Sequence, residues 1–302
     1  MGLIACEKLP VPSGPTNSPR PEERAAVVAP TPPSEDSIAL ATYYRRLQND
    51  LLAQGLLRGD GGGPDTPFTD TILARNFVRI ALFDEYVSDG DFLRPRATLS
   101  KLRRWDQPIR MDVSFGDSVP LDQRAQDAAT VANFAARLST LTGVSIRQTD
   151  ENPNFHVLVL NEDDRLASAD TIRDLVPGIA TSSLNAIVNL PRDQLCIVVA
   201  FAQGDTASYS KAIAVVRAEH PDLLRLSCFH EELAQGMGLA NDSPQARPSI
   251  FNDDEEFGLL TTHDELLLKM LYDPRFQTGM SPREAAPIAR EIAREMLAAT
   301  PS

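Results

Sequence analysis

The segment His220–Asp254, HPDLLRLSCFHEELAQGMGLANDSPQARPSIFNDD, constrains the chain more than any other. It opens as a helix. Pro221 suits a first helical turn, and Leu226, Phe229, Leu233 and Met237 form an apolar stripe at helical spacing. With about 100° between successive residues, Glu231 and Gln235 share the opposite face and Glu232 lies beside them. Gly236 and Gly238 are expected to stop the helix, because glycine takes the left-handed conformation that helix ends commonly need. A polar loop with Asn241 and Asp242 follows. Glu231, Gln235, Asn241 and Asp242 are therefore expected to converge on one binding cleft.

Two readings of that cleft stay open. In the first, the amides of Gln235 and Asn241 hold the Glu231 carboxylate, and the satisfied cluster fixes the loop. In the second, Glu231, Gln235, Asn241 and Asp242 hold a metal. Zinc favours imidazole and thiolate, and neutral amides are poor zinc ligands, so these oxygens suit calcium better. The acidic run Asn252–Glu256 is a further calcium candidate, or a solvated loop. No cofactor is expected to be required, and zinc and calcium are the metals the donors admit. Glu231 and Glu232 diverge by about 100°, which argues against a proton shared between them. His230 points roughly 140° away from Gln235 and leads to Ala234 at the next ligand spacing. His156 and His263 read as structural. The chain carries no Gly-x-Ser-x-Gly elbow and no phosphate-binding glycine loop.

The 302 residues are ample for a sizeable core, and Lys+Arg 29 against Asp+Glu 42 gives a net charge of −13. No basic stripe stands out, so a nucleic-acid partner is not expected. No run approaches the roughly 18 apolar residues of a membrane span. Of the three cysteines, Cys196 and Cys228 are either buried thiols or a disulfide, and a disulfide is expected if the protein is exported.

Three regions are expected. Residues 1–35 hold eight of the 23 prolines and read as a terminus with an extended tether. Residues 36–100 read as a helical hairpin packed on the core, with helices over 36–57 and from Thr69 to Tyr86 separated by Gly59–Pro64. Residues 101–302 hold the main body. There, strands are predicted at 108–115, 144–148, 155–160, 196–201 and 212–217, with an amphipathic helix over 121–142. A helical turn near 163–175 precedes a Ser-rich loop. Further helices are expected after 260, capped by Thr262 with Glu265, and after Ser281. The fold class is α+β with a mixed sheet.

Three motifs carry resemblances. Leu3-Ile4-Ala5-Cys6 looks like a bacterial lipobox, which implies lipidation of Cys6 and a membrane partner through that anchor. The run Glu231-Glu232-Leu233-Ala234-Gln235-Gly236-Met237-Gly238-Leu239-Ala240-Asn241 resembles the metzincin zinc helix H-E-x-x-H-x-x-G-x-x-H, with Glu232 in the general-base place. Glu231, Gln235 and Asn241 stand in the three ligand places. Pro248-Ser249-Ile250-Phe251 resembles the matrixin Ser-Ile-Met turn, and Leu260–Tyr272 the matrixin closing helix. The whole chain also resembles a bacterial domain of unknown function whose members are described as lipoproteins. Cys228, Glu231-Glu232, Gln235, Gly238-Leu239, Asn241-Asp242, Pro248–Asp253 and Leu271–Pro274 carry that likeness.

These resemblances imply a zincin-like domain on the periplasmic face of the bacterial cell envelope. With the ligand histidines replaced, it is expected to be non-catalytic and to bind a protein or peptide partner or play a structural role. The alternative is a metal-dependent hydrolase with atypical Glu, Gln and Asn ligands and Glu232 as its base.

Overall fold

A five-stranded mixed sheet forms the centre of the computed structural model, which describes residues 29–299 apart from Asp205 and Asp253. Cys6 and most of the tether lie outside the described residues. In chain order the elements are α1 (Glu35–Ala53), α2 (Asp70–Ala81), β1 (Phe83–Asp89), β2 (Phe92–Leu99), β3 (Ile109–Phe115) and α3 (Leu121–Thr142). They continue with β4 (Ile146–Gln148), β5 (Phe155–Leu160), α4 (Glu162–Leu166), α5 (Ala169–Leu175) and α6 (Thr181–Val188). The chain then forms β6 (Cys196–Ala202), β7 (Tyr209–Arg217), α7 (Asp222–Gln235), α8 (Thr262–Leu271) and α9 (Pro282–Ala299).

The sheet runs β4-β3-β5-β7-β6, parallel throughout except for the antiparallel edge pair β6 and β7. Its centre is covered on both faces, which is why β5 is buried throughout and apolar apart from His156. Phe155, Val157 and Val159 of β5 enter the main core with residues from α2, α3, α7, α8 and α9. Leu158 and Leu160 face a second core under α5 and α6, with Ile172, Leu184 and Ile187. Alternate side chains of β7 divide the same way, Ala214 and Val216 to one core and Ile213 and Val215 to the other.

The region before the sheet departs from expectation. The helices predicted as a hairpin take separate seats: α1 packs on α4 and on the start of α7, and α2 packs on α8 and α9. Tyr44 anchors α1 from within a third apolar cluster, its hydroxyl donating to the Arg192 carbonyl at 3.0 Å. The second helix stops at Ala81, and residues 83–99 form a β-hairpin turning at Asp89-Gly90, where Gly90 has φ 61°. The Ser-rich loop is the helix α6, with Ser182 and Ser183 buried.

Two local predictions shift by a residue or two. The capping box of α8 is made by Thr261 and Asp264, not by Thr262 and Glu265. The Asp264 carboxylate also accepts from the Ser249 hydroxyl and, at 3.0 Å, from the Ile250 amide. Residues 248–251 are thereby tied to the start of α8. Gly236 is helical rather than left-handed, with φ −62°. Its small size is what matters, because a Cβ there would meet the Phe155 ring at 2.6 Å.

Candidate functional site: a carboxylate-lined pocket beside a stapled helix

The second half of α7 sets one wall of a pocket of about 210 Å³. Cys228, on the apolar side of α7, is bonded to Cys196 at the start of β6, with 5.9 Å between the Cα atoms. The disulfide expected from sequence is thus present, and it fixes the helix against the sheet edge. Beyond α7, Gly238 takes φ 123°, and a Cβ there would lie 2.2 Å from the Arg103 carbonyl oxygen. Trp105 Nε1 donates to the Gly236 carbonyl at 2.8 Å and the Tyr272 hydroxyl to the Met237 carbonyl at 2.8 Å. The helix end is therefore held from two sides, and the chain beyond it returns along the pocket.

Glu231, Glu232 and Gln235 of α7 line this pocket with Asp242, as the helix geometry implies. Gln235 Nε2 donates to Asp242 Oδ1 at 2.9 Å, so the amide holds Asp242 rather than Glu231. Asn241 is not in the pocket. Its Nδ2 donates to the Arg79 carbonyl at 2.8 Å, tying the loop to the end of α2. The predicted amide cage around Glu231 is thus absent among the described residues. The motif position of Asn241 says nothing about which way the chain leaves Gly238.

Carboxylates meet in place of the amide cage. Glu85 on β1, Asp193 before β6 and Glu255 from the loop before α8 line the pocket with Glu231, Glu232 and Asp242, six carboxylates among the described residues. Among the described residues, no Lys, Arg or His lines the pocket. Burial, then Asp242 and Glu232, push the Glu231 carboxyl well above the usual carboxylate range. Burial, then Glu85 and Asp242, do the same to Glu232, against a main-chain hydrogen bond from Val198. Although their Cα–Cβ bonds diverge, Glu231 and Glu232 bring carboxylate oxygens within 4.8 Å of each other. Glu232 is 4% exposed, and its Oε2 has no hydrogen-bond partner among the described residues. The same is true of Asn252 Oδ1, which lines the same pocket. Two buried oxygens thus lack hydrogen-bond partners among the described residues in a site crowded with carboxyl groups.

The histidines stand elsewhere. His230 stacks on Phe134 with ring centroids 4.1 Å apart, and its Nδ1 accepts from the Leu260 amide at 3.1 Å. Burial, with Arg137 nearby, lowers its pKa to about 4. His263 is buried against Asn76 and Phe68, and His156 lies within β5. The acidic run divides: Asn252 and Glu255 line the pocket, while Glu256 pairs with Arg247 and Arg58. Sequence reasoning missed Glu85, Tyr86 and Gln194, whose Nε2 donates to the Tyr86 hydroxyl at 2.7 Å. The Asp89-Gly90 pair was the available signal, since Asp-Gly favours the tight turn of a hairpin.

The donor set decides which metal fits. The Cys196 sulfur lies with the Glu231 and Glu232 oxygens, but its bond to Cys228 removes it as a thiolate. What remains is carboxylate and amide oxygen, a poor match to a peptidase zinc and a good match to a hard cation.

Fold and site together define a mixed α+β protein with a carboxylate-lined pocket at the end of a disulfide-stapled helix. The chain belongs to the family described as Protein of unknown function (DUF2927), whose model matches residues 70–291. No match was found among curated proteins or among solved structures.

Proposed function

We propose that this protein is a cell-envelope lipoprotein whose zincin-like domain binds rather than cleaves, with a hard divalent cation of the calcium class in its carboxylate pocket. The observation that carries this reading is Glu232. In the general-base place of the metzincin-like motif, it is buried with an unpartnered oxygen among carboxylates, where a peptidase needs imidazole-bound zinc. A calcium ion takes six to eight oxygens, and Glu231, Glu232, Asp242, Glu85, Glu255 and Asn252 supply that chemistry. Its charge would draw the raised carboxyls back to their ionised forms. Lipidation of Cys6 would hold the domain at the membrane, with the Pro-rich segment as a tether and a protein or peptide as partner.

The elevated Glu232 carboxyl supports a second reading, a metal-dependent hydrolase with Glu232 as its acid–base group. Calorimetric titration with calcium and with zinc at neutral pH separates the two. One calcium per chain is expected, with proton release seen as a buffer-dependent enthalpy, weakened about tenfold or more by Glu232→Gln. Stoichiometric zinc together with a peptidase activity lost in Glu232→Gln would overturn the binding reading.

A further inference from the structure

A second cavity, of about 530 Å³, lies between α2 and α9, and its chemistry is opposite to that of the acidic pocket. Arg75 and Arg79 of α2 face it, four residues apart, as do Arg290 and Arg294 of α9. Ala74, Val78, Phe83 and Ala286 supply its apolar surface. None of the four guanidinium groups has a hydrogen-bond or ion-pair partner among the described residues. Arginines in the interior and at several surface sites bind carboxylates, Arg165, Arg217 and Arg225 in the first group and Arg58, Arg247 and Arg275 in the second, whereas here four arginines without such partners line one space. Among the described residues lining the groove only Asp70 is acidic, one carboxylate against four arginines, and its Oδ1 accepts from the Thr71 amide at 2.7 Å.

Like charges four residues apart on one helix repel, and here two such pairs are turned towards one space. Burial and the neighbouring Arg75 both disfavour the charged form of Arg79. In a chain of net charge −13, an uncompensated cationic groove is not the by-product of general basicity. Arg75, Arg290 and Arg294 are exposed and Arg79 is half-buried, so an anion seated in the groove would be within reach of all four, and the apolar wall between the arginine pairs suits an anion that carries an apolar body. Guanidinium groups bind phosphate oxygens through paired N–H donors. The volume lies within the range of pockets that enclose one small molecule, about 300–1,000 Å³.

We propose that the α2–α9 groove binds a single anionic amphiphile, a phosphate monoester head on an apolar lipid body, with Arg75, Arg79, Arg290 and Arg294 as the head-group site. This is independent of the acidic pocket and stands whether or not that pocket takes a cation.

The test uses the full chain and dihexanoyl phosphatidic acid below its micellar concentration, followed by calorimetry. One molecule per chain is expected, with affinity falling as salt rises. Dihexanoyl phosphatidylcholine and inorganic phosphate should each bind at least about tenfold more weakly, the first lacking the monoester charge and the second the apolar body. Arg79→Gln and Arg290→Gln should each weaken the phosphatidic acid at least about tenfold while leaving the fold at least as stable. Arg283→Gln, on α9 but outside the groove, should leave binding unchanged. Equal affinity for phosphatidylcholine or for inorganic phosphate would overturn the proposal. So would an unaltered affinity in Arg79→Gln and Arg290→Gln. Binding to vesicles of phosphatidic acid without binding of the monomer would replace a ligand site with a membrane-facing patch, and would equally sink it.

Discussion

At the scale of single residues, Gly238 shows how little freedom the site leaves. Its φ of 123° is strained for any residue with a side chain, and a Cβ would press on the Arg103 carbonyl. That carbonyl belongs to backbone and cannot swing aside. Gly238→Ala is therefore expected to cost about 3 kcal/mol or more, from the conformation and the overlap together. Urea denaturation checks this, and a loss below about 1 kcal/mol would mean that the turn relaxes easily. The same residue shows what sequence can deliver. A glycine three places beyond the helix is legible as a turn, whereas the direction of that turn is not. Asn241 thus went to the carbonyl of Arg79 and Asp242 to the pocket.

At the scale of elements, β6 and α7 act as one piece through Cys196 and Cys228. Closing a loop across a sequence separation of 32 residues is worth roughly 3–4 kcal/mol in the chain-entropy description. The double variant Cys196→Ala with Cys228→Ala is expected to lose about that much. The loss should match the effect of reductant on the wild type and vanish when the variant is compared with and without reductant. Elements whose pattern is set locally or by burial on both faces were readable: β5 as FHVLVL, α3 ending at Gly143, and α7 with its stripe. The β1–β2 hairpin was not read, because Phe77, Ile80 and Phe83 keep helical spacing past the true end of α2. Missing the hairpin meant missing Glu85, which is brought to Glu231 by tertiary packing alone. A pocket assembled from β1, β6, α7 and a distant loop cannot be found from one motif, however well that motif is aligned.

At the scale of the whole molecule, buried titratable groups oppose one another across the pH range. Burial, with Arg217 and Arg225, lowers His220 to about 3, and His230 lies at about 4. A histidine whose folded pKa is depressed gives stability that is present above its unfolded value near 6.5 and is lost as pH falls towards the folded value. Glu231 and Glu232 behave in the opposite sense. Their folded pKa values are raised, so their contribution is present below the unfolded value near 4.5 and is lost as pH rises through the folded one. Between about pH 4.5 and 6.5 the two effects partly cancel in the wild type. A Glu231→Gln, Glu232→Gln double variant removes the contribution of these two carboxyls and keeps the histidine effect, with the raised carboxyls of Asp127 and Glu219 common to both proteins. The variant should be more stable than wild type at pH 8, on the order of 1 kcal/mol or more, and should lose stability more steeply on acidification. Thermal unfolding at pH 8, 6 and 5 measures this. A wild-type and variant difference independent of pH would show that these carboxyls are not protonated in the folded protein.

The staple between β6 and α7 also bears on the order in which the protein assembles. Cys196 and Cys228 lie within one contiguous segment that forms an antiparallel strand pair and the first half of a helix. The parallel pairing of β7 with β5, and of β5 with β3, joins segments that are far apart in the chain and is slow to find. The covalent bond therefore belongs to a local unit that can be sealed while the rest of the sheet is still searching for its register. Where oxidation is withheld, refolding is expected to leave the edge of β7 open to other chains for longer, which light scattering during refolding with and without reductant would measure.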